Sequence, residues 1–266
     1  MTSDDFNKNI PIIYLVCDID YYNYLQCFLY FANKNIDDKQ FHIHFINTPS
    51  EKIDSIIRTY PCIKNTTCEY TQLNKKNNRT ALPPFSPLRH SNRMFVNSEK
   101  KKFGKLYSEK EAYCANVRFL KIPGILEQYS NDIIYIDVDN IINRDIHILY
   151  KHMVEYDLLA APCLPNDPRL STTIIGIKNN KKTRSVFRKM SNEIHENILD
   201  WGTDHIVYNR LINTNDIKIH ILPDDFIDEE YRADSYIWIN HLTMYGLSDK
   251  YQDVLNEVHL YTDTML

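Results

Sequence analysis

Residues 10 to 17, Ile-Pro-Ile-Ile-Tyr-Leu-Val-Cys, form an unbroken apolar run that ends at the polar break Asp18-Ile19-Asp20. An aromatic-rich stretch then continues to Asn33 at roughly helical spacing. A continuous apolar run bounded by turn residues is the pattern of a strand buried on both faces, so this segment predicts strand, loop and helix. Phe41 to Ile46 is a second β-prone run, and Glu51 to Tyr60 carries Ile53, Ile56 and Ile57 at the i, i+3, i+4 spacing of an amphipathic helix. Strands alternating with helices predict an α/β fold, with a mostly parallel central sheet covered by helices on both faces.

The pattern is lost from Asn74 to Lys105, where Lys75-Lys76-Asn77-Asn78-Arg79, Pro83-Pro84, Pro87 and Glu99-Lys100-Lys101-Lys102 follow one another. A loop of that length inside a compact domain is either functional, as a lid or acceptor-binding flap, or disordered. Order returns at Ser108, where Glu111 completes a capping-box pattern for a helix running through Arg118 and Leu120. Ile133-Ile134-Tyr135-Ile136 is the most strand-like run in the chain and ends in Asp137-Val138-Asp139-Asn140. Further β-prone runs lie at Leu158 to Ala161, Thr172 to Ile177 and Ile217 to Leu222, with helical segments at Thr183 to Ile198 and Asp204 to Ile212. No internal repeat or low-complexity tract divides the chain, so residues 1–266 read as a single domain.

Composition removes several function classes. The balance of 31 Lys+Arg against 35 Asp+Glu gives a formal charge of -4 and supplies no broad basic field, which argues against nucleic acid as a partner. The 5 glycines, Gly104, Gly124, Gly176, Gly202 and Gly246, lie too far apart to build G-x-G-x-x-G, a P-loop or G-x-S-x-G. Six cysteines without a C-x-x-C pair, and an N-terminus lacking a basic-then-apolar signal, lead us to expect a reducing, cytoplasmic setting. The apolar runs stop short of the roughly 18 residues a membrane span needs, so no transmembrane segment is expected.

The tripeptide Asp-x-Asp occurs twice, at Asp18/Asp20 and at Asp137/Asp139. In the second copy the carboxylates follow a buried-type strand, and the two-residue period of an extended chain would turn both to one side. Two carboxylates a few ångströms apart repel and call for a counter-cation, for which hard oxygen ligands suit Mn²⁺ or Mg²⁺. Open α/β sheets also bind their ligands at the carboxyl ends of the strands. The competing explanation is a simple turn after a strand, where Asp and Asn are common.

Arg118-Phe119-Leu120-Lys121-Ile122-Pro123-Gly124-Ile125-Leu126, a short gap, and Ile134-Tyr135-Ile136-Asp137-Val138-Asp139-Asn140-Ile141-Ile142 together resemble the core signature of glycosyltransferase family 8. That is the group of glycogenin and the bacterial lipopolysaccharide galactosyltransferases, and the resemblance runs collinearly over roughly residues 10 to 250. It implies a GT-A-type nucleotide-sugar-binding fold, a UDP-sugar donor and transfer to an acceptor hydroxyl on a glycan, lipid-linked or protein acceptor, with retention of configuration.

Position by position, the resemblance implies that Asp18 and Tyr21 hold the nucleoside, Tyr21 by its ring and Asp18 by accepting polar hydrogens. Tyr21 also belongs to the aromatic string Tyr21-Tyr22-Asn23-Tyr24, where plain packing explains it equally. Arg118 matches the arginine that contacts the donor, or else makes a structural salt bridge. Asp137 and Asp139 match the metal pair, His241 the histidine that completes the metal site, and Lys250 the lysine that reaches the diphosphate, at a stretched spacing from Gly246. Asp204 matches the acidic residue beside the sugar. Two departures fall at the sugar end: His205 stands where glutamine is usual, and Ser171-Thr172-Thr173 where the family has Asn-Ala-Gly. Two alternatives stay open on the sequence, a haloacid-dehalogenase-like phosphatase and a non-catalytic binding protein of GT-A shape.

Overall fold

The computed structural model describes residues 10–73, 77–80, 106–163, 169–223, 226–228, 232–238 and 256–258. Its centre is a seven-stranded sheet. In chain order the strands of that sheet are β1 (Ile12–Asp18), β2 (Gln40–Ile46), β3 (Ile63–Glu69), β6 (Ile133–Ile136), β8 (Leu158–Pro162), β9 (Leu170–Ile177) and β10 (Ile219–Ile221), arranged β10-β8-β9-β6-β1-β2-β3. Every neighbouring pair is parallel except the two that β9 makes with β6 and β8. β9 reverses because it follows β8 through a connection too short for the crossover a parallel return requires.

The helices are α1 (Tyr22–Asn35), α2 (Ser50–Thr59), α3 (Glu109–Gln128), α4 (His147–Glu155), α5 (Lys181–Glu196) and α6 (Thr203–Thr214). Alternate side chains of β1 serve different cores. Ile13, Leu15 and Cys17 pack with the buried stripes of α1, α2 and α4, while Tyr14 and Val16 pack with α3, α5 and α6. The continuous apolar run of residues 10 to 17 therefore reflects a strand covered on both sides. Across β8 and β9, Gly176 sits so close to Leu159 that an added Cβ would lie 2.8 Å from its side chain.

Two smaller ribbons complete the fold. β4 (Asn77–Thr80) pairs antiparallel with β5 (Leu106–Ser108), so the two ends of the expected flap at 74–105 are joined; the rest of that segment lies outside the described residues. β7 (Ile141–Ile142) pairs with β12 (Ile237–Trp238), which also pairs with β11 (Ile227–Asp228).

The capping box read from Ser108 is present: Glu111 N–H donates to Ser108 Oγ at 3.2 Å, and Ser108 N–H donates to Glu111 Oε2 at 2.8 Å. The helix it opens runs beyond Leu120, through Pro123 and Gly124, to Gln128. A proline inside a helix costs about 3 kcal/mol, here offset by burial of Phe119, Ile122, Ile125 and Leu126 in the second core. No disulfide joins the cysteines, and no helix among the described residues is long and apolar enough to cross a membrane.

Candidate active site

The carboxyl ends of β1, β2, β3 and β6 point to one edge of the sheet, and antiparallel β9 begins there. Beyond Ile136 the ladder continues for one step, Asp137 N–H donating to Thr173 C=O at 2.9 Å. Residues 137 to 140 then close a turn, with Asn140 N–H donating to Asp137 C=O at 3.2 Å. The extended geometry expected across Asp137 and Asp139 is therefore absent, because the chain turns immediately after the strand.

Arg118, from the middle of α3, is buried at the centre of this edge. Its Nη1 donates to Tyr135 Oη at 3.0 Å and to Asp137 Oδ1. Its Nη2 donates to Thr172 Oγ1 at 2.8 Å and to Asp204 Oδ2 at 2.5 Å. The Tyr135 hydroxyl donates to Asp137 Oδ1 as well. The guanidinium fork thus joins four elements: α3, the end of β6, the start of β9 and the first turn of α6. Two branches used this way exploit the planar geometry a lysine lacks. The salt-bridge explanation of Arg118 is realised, and its carboxylate partners are the two acidic residues singled out at positions 137 and 204.

Asp204 lies in the first turn of α6, where the helix end favours an anion. Its N–H donates to Asn116 Oδ1 at 2.9 Å, and Asn116 also donates to the carbonyls of Ile198 and Asp200 at 2.8 and 3.0 Å. Gly202 opens the helix at φ 88°, a left-handed conformation that suits glycine. Burial raises the Asp204 pKa, but His205 and Arg118 beside it outweigh burial and hold the carboxyl below its usual range. Its Oδ1 is buried and accepts no hydrogen bond, and the Arg118 Nε–H is buried without an acceptor. Burial lowers the His205 pKa; the charge of Asp204 opposes this and that of Arg118 adds to it. Its Nε2 lies 2.9 Å from Thr172 Oγ1.

The first Asp-x-Asp copy forms a separate cluster. Asp18 caps the short 3₁₀ turn Ile19–Tyr21, accepting from Tyr21 N–H at 3.1 Å. Lys110, in the first turn of α3, is buried and paired with both Asp18 and Asp20. Burial depresses the Lys110 pKa, yet the two carboxylates raise it overall. The Tyr21 ring is 36% exposed and lies against Tyr24, ring centroids 5.4 Å apart. Burial raises the Tyr24 phenol, and the charge of Asp139 raises it further.

His241 and Lys250 lie outside the described residues. Among the described residues no three His, Cys, Asp or Glu side chains converge to hold a metal ion. Asp137 and Asp139 offer carboxylate oxygens of the hard type, and Arg118 balances only one of the two charges of Asp137 and Asp204, so the chemistry of the site suits a hard cation. Sequence reasoning had not singled out Lys110, Tyr135 or Asn116 as parts of this edge, and it had noted Thr172 only as a departure. None is marked by a local pattern, since their partners are up to 90 residues away along the chain.

No known family profile and no curated protein sequence matches the chain. Solved structures do. Glycosyltransferase GlyE of Streptococcus pneumoniae TIGR4 superposes with a TM-score of 0.55 at 15% identity, over 96% of this chain and 64% of that one, so this chain spans just under two thirds of GlyE. The galactosyltransferase LgtC, solved with donor and acceptor sugar analogs, gives 0.56 at 13% identity over 92% of this chain and 95% of LgtC. Mouse xyloside xylosyltransferase 1 in its apo form gives 0.50 at 8% identity over 88% and 98%. The chain therefore has the GT-A fold seen in these glycosyltransferases.

Proposed function

We propose that the protein is a metal-dependent glycosyltransferase that moves a sugar from a UDP-linked donor to a hydroxyl of a glycan, lipid-linked or protein acceptor, with retention at the anomeric carbon. The observation that carries this reading is the buried Arg118 held between Asp137 of the second Asp-x-Asp and Asp204, at the carboxyl edge of a GT-A sheet. The fold comparisons favour neither the phosphatase nor the non-catalytic alternative.

In this reading Tyr21 offers its exposed ring to the base. Asp18 shapes the turn beneath that ring and would add the base's polar hydrogens to the bonds it already makes. Asp204, whose Oδ1 is buried without a donor, accepts a sugar hydroxyl and faces the cationic anomeric carbon. Arg118 holds Asp137 and Asp204 in place, so neither carboxylate must reorganise as charge develops. Lys250 is assigned to the diphosphate. Asp137, Asp139 and His241 would hold Mn²⁺ or Mg²⁺, which when bound supplies Lewis-acid stabilisation of the departing UDP.

A panel of UDP-sugars with Mn²⁺, followed by UDP release, tests the proposal. Release from at least one donor is expected, reduced about 100-fold or more in Asp204→Asn, as for loss of a group acting on transition-state charge. UDP binding with no release from any donor would point to the scaffold alternative. Phosphate release from a generic phosphomonoester, without sugar transfer, would overturn the reading in favour of the phosphatase.

A further inference from the structure

Helix α1 and strand β7 meet at a seam outside the main sheet. α1 follows directly on Tyr21, and its Tyr24 ring lies against the Tyr21 ring. β7 begins two residues after Asp139, in the three-stranded ribbon with β12 and β11. A strand this short is held in place by what packs on it more than by its own ladder. Asn35 Nδ2, from the end of α1, donates to Ile142 C=O at 2.7 Å, and Ile141 packs with Cys27 and Phe31 of α1. The fourth buried member of that cluster is Val258, from the helical turn 256–258 in a distant part of the chain; it is 3% exposed, and Tyr24, Tyr30 and Trp238 pack around the cluster. Beside it, Glu257 Oε1 accepts from Tyr30 Oη at 2.7 Å and from Lys34 Nζ at 3.0 Å. These two bonds lie at the surface, so they set where the turn lands on α1, while burial of Val258 supplies the hold. The cluster is small and separate from the two main cores, so it can open without them.

We infer that the turn 256–258 is a clamp across this seam, with Val258 as a positioning residue. By packing with both α1 and β7 it fixes the spacing between Tyr21, just ahead of α1, and Asp139, just ahead of β7. Val258 acts through Ile141 and the α1 side chains around it. The consequence for the donor rests on the glycosyltransferase reading above, in which Tyr21 takes the base and Asp139 the cation on the diphosphate, so that one ligand spans the seam. A ligand that requires the seam closed is tightened by the clamp, and it tightens the clamp by the same factor.

The test is amide hydrogen exchange on the full chain, read at two bonds: Asn143 N–H to Tyr236 C=O at 2.9 Å, next to the β7–β12 pairing, and Asn140 N–H to Asp137 C=O at 3.2 Å, which closes the turn after β6. Without ligand, Val258→Asp is expected to lose protection at both amides while those of β1 and β6 keep theirs, and Val258→Ile is expected to keep the wild-type rates. Exchange in Val258→Asp identical to the wild type overturns the inference. Should Val258→Asp fail to fold, Val258→Ala is read in the same way. With UDP and Mn²⁺ added, the wild type is expected to gain protection at Asn143, and the Val258 variant to bind UDP and Mn²⁺ about 10-fold less tightly. Loss of protection with unchanged affinity would overturn the positioning role. Failure of the wild type to bind UDP with Mn²⁺ would count against the glycosyltransferase proposal instead, and the ligand-free exchange still decides whether the turn holds the seam.

Discussion

The two Asp-x-Asp copies end neighbouring parallel strands, β1 and β6, and each receives its cation from the same helix. Lys110 and Arg118 are eight residues apart on α3, close to two full turns, so both reach the sheet edge from one face. What differs is the shape of the cation. An ammonium is a compact point charge, and Lys110 places it between Asp18 and Asp20, closing the first copy on itself. A guanidinium is a fork, and Arg118 spends one branch on Asp137 and the other on Asp204 from a distant helix. The same tripeptide therefore becomes a turn held by one ammonium in one place and part of a four-element site in the other. The motif's chemistry is set by what α3 presents to it.

The largest effect expected is from Arg118→Met. It leaves Asp137 and Asp204 without their shared cation, and breaking a buried pair in this way costs about 3–5 kcal/mol. Lys110→Met should cost less, about 2–3 kcal/mol, because it strands only the buried Asp18 carboxylate while Asp20, 56% exposed, returns to water. Urea unfolding of the two variants compares them directly; equal losses would mean that the second copy is no more deeply tied in than the first.

Titration should separate the two copies by sign. Lys110 has a folded pKa raised above 10.5. Its stabilisation is thus fully present below 10.5 and lost as pH rises through the folded value, and Lys110→Arg should flatten that alkaline limb. Asp204 has a folded pKa lowered below 3.8. Its stabilisation is present above 3.8 and lost as pH falls through the lowered value, and Asp204→Asn should remove that part of the acid limb. Glu69, at the end of β3, contributes to the same limb. Burial raises its pKa, but the His44 imidazole beside it and hydrogen bonds from Lys121 and Tyr113 outweigh this and hold it at about 2. The difference between wild type and Asp204→Asn, measured as unfolding free energy against pH, is therefore the quantity to compare.

The smallest effect belongs to the helix that serves both copies. Ser108→Ala removes the cap of α3 and should cost about 1 kcal/mol. It loosens the turn that holds Lys110 while leaving Arg118, two turns further on, in place. Hydrogen exchange of the α3 amides checks this: faster exchange near residue 110 is expected, with little change near residue 118.

Much of the fold was legible where a strand is covered on both faces. β1 and β6 announce themselves as apolar runs because each is buried throughout, and the start of α3 is marked by a local two-residue exchange at Ser108 and Glu111. β3 was not recognised, because an edge strand exposes much of its surface and Ile-Lys-Asn-Thr-Thr-Cys-Glu carries no clean alternation. The two-residue strands β7, β11 and β12 are too short to show a period, and α4 was passed over. The sequence pattern was followed through α3 only as far as Leu120, whereas burial of Ile122, Ile125 and Leu126 on both sides of Pro123 and Gly124 carries the helix on to Gln128.

At the site, the resemblance picked out Arg118, Asp137 and Asp204, and the structure brings these three into one cluster. It gave no hint of Lys110, whose burial depends on α3 crossing the end of β1, or of the bond between Thr172 and His205, which exists only where this chain departs from the family pattern.

The central claim, that the second Asp-x-Asp serves the metal and the first does not, is tested most directly by thermal unfolding with UDP and Mn²⁺ together, each alone, and both with EDTA. The wild type is compared with Asp139→Ala and Asp20→Ala. Ligand at about 100 times its dissociation constant stabilises by roughly 2.7 kcal/mol, a shift of several degrees for a domain of this size. We expect a shift that requires both UDP and Mn²⁺, persists in Asp20→Ala and disappears in Asp139→Ala. A shift unchanged in Asp139→Ala, or no shift with UDP and metal in the wild type, would contradict the account.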